Sequence, residues 1–230
     1  MEVVGSVGLS SGFFAFVSLL FLRPFAVRFQ LVDIPDHRKV HKGAVPLIGG
    51  LSAFIGLFAA WMISMPLAGG YGIYLLASLL LVAMGTVDDA FDLPAQFRLW
   101  SQVALGALLT YGSGVSLMHF GDLFGLGVIE LGWLGPLVTI AAVIGATNAF
   151  NMMDGIDGLA GSMSLVALFS LALLFLLAQG NTLELELALA FAVATALLPY
   201  LAANLRMLPF RKRIFMGDAG SMFIGFSIVW

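Results

Sequence analysis

Long apolar runs separated by short polar stretches set the pattern of this chain. Runs near 5–22, 46–65, 70–87, 97–116, 132–149, 159–178, 184–203 and 217–230 hold few charges. About 20 apolar residues of helix cross a bilayer core, so the pattern predicts about eight transmembrane helices, the last one incomplete. A helix satisfies its own backbone in lipid, and the expected fold is an all-α polytopic membrane protein, a single domain over 1–230. Residues 114–131, GVSLMHFGDLFGLGVIEL, alternate turn glycines with short apolar pieces and predict a small β-hairpin at the outer surface. The chain stops at Trp230 inside an apolar run, and the expectation is a chain truncated at its C-terminus.

Composition supports a lipid environment: 61% of residues are hydrophobic and 10% charged, against roughly half and roughly a quarter in soluble domains. The absence of cysteine excludes a disulfide framework and thiol chemistry. Run 5–22 is too long for a cleaved signal peptide, and no small-residue cleavage pattern follows, so it is read as a retained first span.

The placement of charge orients the bundle. Arg23, Arg28, Arg38, Lys39, Lys42, Arg98, Arg206, Arg211, Lys212 and Arg213 fall on one side when crossings are counted. The opposite connections carry Glu2, Asp122, Glu130, Glu184 and Glu186, without Lys or Arg. The positive-inside rule makes the basic side cytoplasmic and puts the N-terminus outside. The same count brings Asp88, Asp89, Asp92, Asp154, Asp157 and Asp218 to the cytoplasmic edge. Transporters set their ionisable groups near the midplane, often between repeated halves; these acids lie at the edge and the halves do not resemble each other. His119 stands alone in the outer connection and receives no role.

The central stretch is NAFNMMDGIDGLAG, Asn148 to Gly161. Asn148, Asn151, Asp154 and Asp157 recur every three residues, which stacks them on one face wherever the segment is helical. A turn needs one or two such residues, and four in register at a membrane edge point to a ligand. Asp88 and Asp89 end the third span; being adjacent, they cannot share a helix face and so have different tasks. Asp92, before Pro94, is expected to cap the next helix. Asp218 sits in FMGDAGS at the start of the last run, as a metal-site carboxylate, the cap of that helix, or both. Arg38, His41 and Lys42 in the first loop offer donors to phosphates, or simple attraction to anionic headgroups. Hard carboxylates favour Mg2+ or Mn2+, commonly held by one or two carboxylates plus substrate phosphates. The residues alone therefore indicate metal-dependent phosphoryl chemistry on a membrane-embedded substrate.

Four motifs in order, DIPDHRKVHKGAVPLIGG, GTVDDAFDL, NAFNMMDGIDGLAG and FMGDAGSMFIGF, resemble those of the polyprenyl-phosphate N-acetylhexosamine-1-phosphate transferases, glycosyltransferase family 4. The likeness runs from about Asp33 to the end and favours the undecaprenyl-phosphate GlcNAc-1-phosphate branch. The phospho-MurNAc-pentapeptide branch typically has GTPTMGG where this chain has GAVPLIGG. The resemblance implies transfer of a HexNAc-1-phosphate from a UDP-sugar to undecaprenyl phosphate in the bacterial plasma membrane, with release of UMP. It implies Mg2+ as cofactor, Mn2+ as a substitute, a homodimer, and no nucleic-acid partner. Carried over by position, Asp218 matches the principal metal ligand, while Asp88 and Asp89 match a pair assigned to the metal environment or to acceptor deprotonation. Asn151, Asp154 and Phe215 match the nucleotide pocket, Asn148 and Asp157 belong to the same motif, and Lys42, His41 and Arg38 match phosphate contacts. The family also carries a later histidine-rich loop, to which nothing before Trp230 corresponds. The alternatives are the peptidoglycan-branch reaction and a truncated, non-catalytic nucleotide-binding protein.

Overall fold

The computed structural model describes residues 2–34, 43–177, 184–210 and 212–230. Within them the chain is all-α, with eight helices: α1 Glu2–Ala26, α2 Gly49–Ser64, α3 Tyr71–Phe91, α4 Ala95–Ala107, α5 Gly135–Met153, α6 Leu159–Leu177, α7 Glu184–Asn204 and α8 Gly217–Val229. Five stretches are long and apolar enough to cross a membrane: α1, α3, α5 with the 3-10 turn before it, α6 and α7. α2 and α8 are apolar but shorter. α4 is a different kind of element. It carries Gln96, Arg98, Ser101 and Gln102, and passes into a π-helical turn, Leu108–Gly112. The eight apolar runs thus became eight helices of unequal length, five of them with full spanning character.

Two short strands, β1 Val32–Asp33 and β2 Val45–Pro46, pair antiparallel. Next to β2, Leu47 forms a parallel bridge with Phe215. The Phe215 amide donates to Pro46 O (2.9 Å) and the Gly49 amide to Phe215 O (3.0 Å). The first polar loop is thereby fastened to the segment that enters α8. The turn expected at 114–131 is present but closes with a single bridge, His119 to Glu130. Gly121, Gly125 and Gly127 all take left-handed φ there, which interrupts the extended backbone a longer ladder needs.

Asp92 does not cap α4, contrary to expectation. It ends α3 in the left-handed region (φ 51°), its amide donating to Asp88 O at 2.8 Å. The N-cap position of α4 is Pro94, with no side-chain cap. The carboxylate of Asp88, not that of Asp92, takes the loop amide of Leu93.

α8 is the buried centre of the bundle. Gly217 and every residue from Ala219 to Ser227 are buried, with α2, α3 and α5 around them. Backbones meet because side chains are missing: a Cβ on Gly85 of α3 would lie 2.5 Å from the Ala219 backbone, and one on Gly225 would lie 2.6 Å from the α5 backbone at Ala146–Thr147. Small residues at interfaces are the usual means of close helix approach in lipid. On the other flank, α1 is tied to α7 by Ser11 Oγ donating to Ala192 O (2.9 Å) and Thr195 Oγ1 to Gly8 O (2.7 Å).

Candidate active site

The polar residues converge where α3 ends, α5 ends and α4 and α8 begin. The first turn of α8 has backbone amides that no residue of its own helix can satisfy. Its N-cap, Met216, offers no side-chain oxygen. The acceptors come from elsewhere in the chain. Asp154, just after α5, accepts from the Gly217 amide at 3.1 Å. Asp89, on α3, accepts from the Asp218 amide at 2.8 Å and the Ala219 amide at 3.3 Å. Gly217 is in the left-handed region (φ 76°), and a Cβ there would lie 2.5 Å from Asp89 Oδ2. A glycine is therefore required for this carboxylate to reach the helix. The N-terminal dipole and the two acids reinforce each other.

So anchored, Asp218 presents its carboxylate to Asn151 and Arg98. Asn151 Nδ2 donates to Asp218 Oδ1 and, at 3.3 Å, to Ser221 Oγ. Arg98 Nη1 bridges Asp88 Oδ2 at 3.0 Å and Asp218 Oδ2 at 3.3 Å. Asp88 is almost wholly buried, whereas Asp218 remains partly open, its side chain 27% exposed. The adjacent acids do have different surroundings: Asp88 pairs with Arg98 and the Leu93 amide, and Asp89 caps α8.

The four polar positions of the central motif diverge. Asn151 and Asp154 join Asp218. Asn148 donates to Gln102 Oε1 on α4 (2.8 Å) and to Ile144 O (2.8 Å). Asp157, past the end of the helix, pairs with Arg213 at 2.6 Å. Burial raises the Asp154 carboxyl to about 7, the hydrogen bond from the Gly217 amide opposing the rise. The buried Tyr200 lies beside this carboxyl. Phe215 is half-buried beside β2. Arg38, His41 and Lys42 lie outside the described residues.

Three residues absent from the sequence-based site emerge here. Arg98 is the cation that joins two of the acids. Gln102 is the buried partner of Asn148. Asn204, buried at the end of α7, accepts from the Gly158 amide (2.6 Å) and donates to Ile214 O (3.0 Å), linking the loop after α5 to the loop before α8. Each is a polar residue within or at the end of an apolar run, which was the available signal.

The donor set suits a hard divalent cation. Four acids, Asp88, Asp89, Asp154 and Asp218, against the one arginine Arg98 leave the cluster net negative, and a carboxylate has about four acceptor sites, of which Asp218 uses two. Among the described residues no three Asp, Glu, His or Cys side chains gather as a metal cage. One or two carboxylates with phosphate oxygens is how Mg2+ is usually held. Asp218 is the open carboxylate; both oxygens of Asp89 are already engaged with α8.

Residues 71–230 match Glycosyl transferase family 4. The chain is 39% identical over 217 residues to an undecaprenyl-phosphate alpha-N-acetylglucosaminyl 1-phosphate transferase of Yersinia pestis, covering 94% of this chain and 59% of that protein. Proteins of the same name from Pasteurella multocida (42%, covering 94% and 60%) and Escherichia coli K12 (38%, covering 94% and 58%) are similar to it as well. The chain thus spans about three-fifths of the length of these curated relatives.

Proposed function

The chain belongs to glycosyl transferase family 4, and from that premise we propose that it serves in transfer of a HexNAc-1-phosphate, GlcNAc-1-phosphate first among them, from a UDP-sugar to undecaprenyl phosphate, releasing UMP. The observation that carries the reading is the cross-capped start of α8, which holds Asp218 open beside Asn151 and Arg98. Phosphoryl transfer needs chiefly positioning and charge neutralisation, and the cluster is built for both. Asp218 would hold Mg2+, which when bound supplies positive charge to the donor diphosphate. Arg98 would screen the approach of one phosphate to another, and Asp88 would keep its guanidinium in place. Asp89 acts by capping α8, so that Asp218 keeps its direction. Asp154 accepts from the uracil N–H, Phe215 stacks on the base, and Asn151 orients Asp218. A phosphate monoester has its second pKa near 6, so the acceptor arrives largely ionised and no strong base is required.

The positive-inside rule applied to the basic loops supports a cytoplasmic-side site in a bacterial plasma membrane, where a soluble nucleotide-sugar would meet a lipid phosphate. The test has two parts: Mg2+-dependent binding of UMP to the chain, and UMP release from UDP-GlcNAc that requires both undecaprenyl phosphate and Mg2+. UMP binding with lipid-dependent release supports the transferase. Binding without release from any UDP-HexNAc would indicate a nucleotide-binding protein instead, and no binding at all would overturn the reading.

A further inference from the structure

We infer that the 114–131 hairpin is an interfacial anchor, its apolar face set in the lipid leaflet at the end of the bundle opposite the acid cluster. α4 begins at the site with Arg98 and α5 ends there with Asn151, so the connection between them lies at the far end. Its outward side chains are Phe120, Leu123, Phe124, Leu126 and Val128, with Leu126 91% exposed at the tip, and Trp133 in the turn that follows is exposed as well. A patch of this kind marks an interaction surface.

Lipid is the occupant because the patch continues the outward face of α5. Trp133 and Leu134 lead into Leu137, which is exposed on a helix of membrane-spanning character. The hairpin cannot fold back over the bundle, because its base is docked. The Leu117 amide donates to Thr139 Oγ1 of α5 at 2.9 Å, and a Cβ on Gly135 would lie 2.5 Å from Leu117 O, while the Leu131 amide closes the hairpin's own base on Met118 O at 2.9 Å. The amphipathic indole of Trp133 favours the level of the headgroups.

Chemistry also sets the depth. Among the described residues the tip amides between 122 and 126 have no backbone partner, and the one side-chain bond there runs from the Gly127 amide to Asp122 Oδ1 at 3.1 Å. Unpaired backbone groups are not tolerated in the hydrocarbon core, so the tip stops at the headgroup–acyl boundary. The segment carries Asp122 and Glu130 but no Lys or Arg, so anionic lipid is not what draws it in.

The chain has no cysteine, so Leu126→Cys can take an environment-sensitive fluorophore at a single position. The protein is placed in phosphatidylcholine bilayers with and without phosphatidylglycerol. The expected result is blue-shifted emission, shielded from aqueous iodide, and quenched several-fold more by spin labels high on the acyl chain than by labels near its end. It should be the same in both lipids. The same label with Phe124→Ser and Leu123→Ser should lose most of the shift. Water-like emission with full iodide quenching would overturn the inference. So would a full shift in the double-serine background, because the dye alone would then be carrying the tip inward. A disulfide joining two copies of the unlabelled Leu126→Cys protein, together with loss of lipid quenching in the labelled one, would also overturn it, in favour of a second copy covering the patch. None of these outcomes depends on the transferase reading.

Discussion

A methyl group added at Gly85 would meet the first turn of α8 before anything else. The new Cβ would lie 2.5 Å from the Cα and N of Ala219 and 2.8 Å from the carbonyl carbon of Asp218. These are backbone atoms, so no rotamer change relieves the clash. Comfortable carbon contacts begin near about 3.5 Å, so α3 and α8 must part by about 1 Å. α8 has little room to retreat, since Gly50 of α2 and the Ala146–Thr147 backbone of α5 lie against it elsewhere. The separation falls on the 2.8 and 3.3 Å bonds from the Asp218 and Ala219 amides to Asp89, and Asp218 turns away from Asn151 and Arg98. Misplacing a positioning group by about 1 Å can cost on the order of 100-fold in rate, and overpacking costs about 1–3 kcal/mol of stability. Gly85→Ala should therefore lower kcat for UMP release roughly 10- to 100-fold, with a lower Tm and a smaller effect on UMP binding. Gly145→Ala on α5, where a Cβ meets nothing within 4 Å, is the control and should leave kcat unchanged. A folded Gly85→Ala protein working within about twofold of the parent would refute the argument that backbone contact at α8 sets the direction of Asp218.

Asp218→Asn should abolish Mg2+-dependent UMP release while the fold persists; near-normal turnover at ordinary Mg2+ would remove Asp218 from the metal site. Phe215→Ala should raise the KM for the UDP-sugar and leave that for the lipid phosphate in place; the opposite pattern would exclude stacking. Asn204→Leu strips the Gly158 amide and Ile214 O of their partners, at about 1–3 kcal/mol for each buried group, and should lower Tm and raise the donor KM together. Asp154 is neutral below its pKa of about 7 and ionised above it, and only the ionised form serves as acceptor alone. The donor KM should fall as pH rises through 7 and be flat in Asp154→Asn. With the pKa raised from 3.8 to about 7 on folding, Asp154's contribution to stability is fully present below about 4 and is lost as pH rises to about 7, so Tm should fall across that range and level off above it, while donor binding tightens around pH 7.

The apolar runs and the side-by-side count of charges were enough to define an all-α membrane bundle and to place Asp88, Asp89, Asp154 and Asp218 at one of its ends. These properties depend on periodicity and order along the chain, and both can be read without coordinates. The partners of those acids could not be read this way. Spacing says which residues share a face of one helix, but not which helix that face meets 60 or 130 residues away. Adjacency set Asp88 and Asp89 different tasks without saying which was whose; one became the counterion of Arg98 and the other the cap of α8. Asn148 to Asp157 looked like one row, but α5 ends at Met153, and the backbone beyond it directs Asp157 to Arg213. Asp92 looked like a cap for α4, yet it closes α3. Tertiary structure made these choices because α8, brought in by glycines on its neighbours, carried unsatisfied amides into the bundle, and the nearest carboxylates satisfied them.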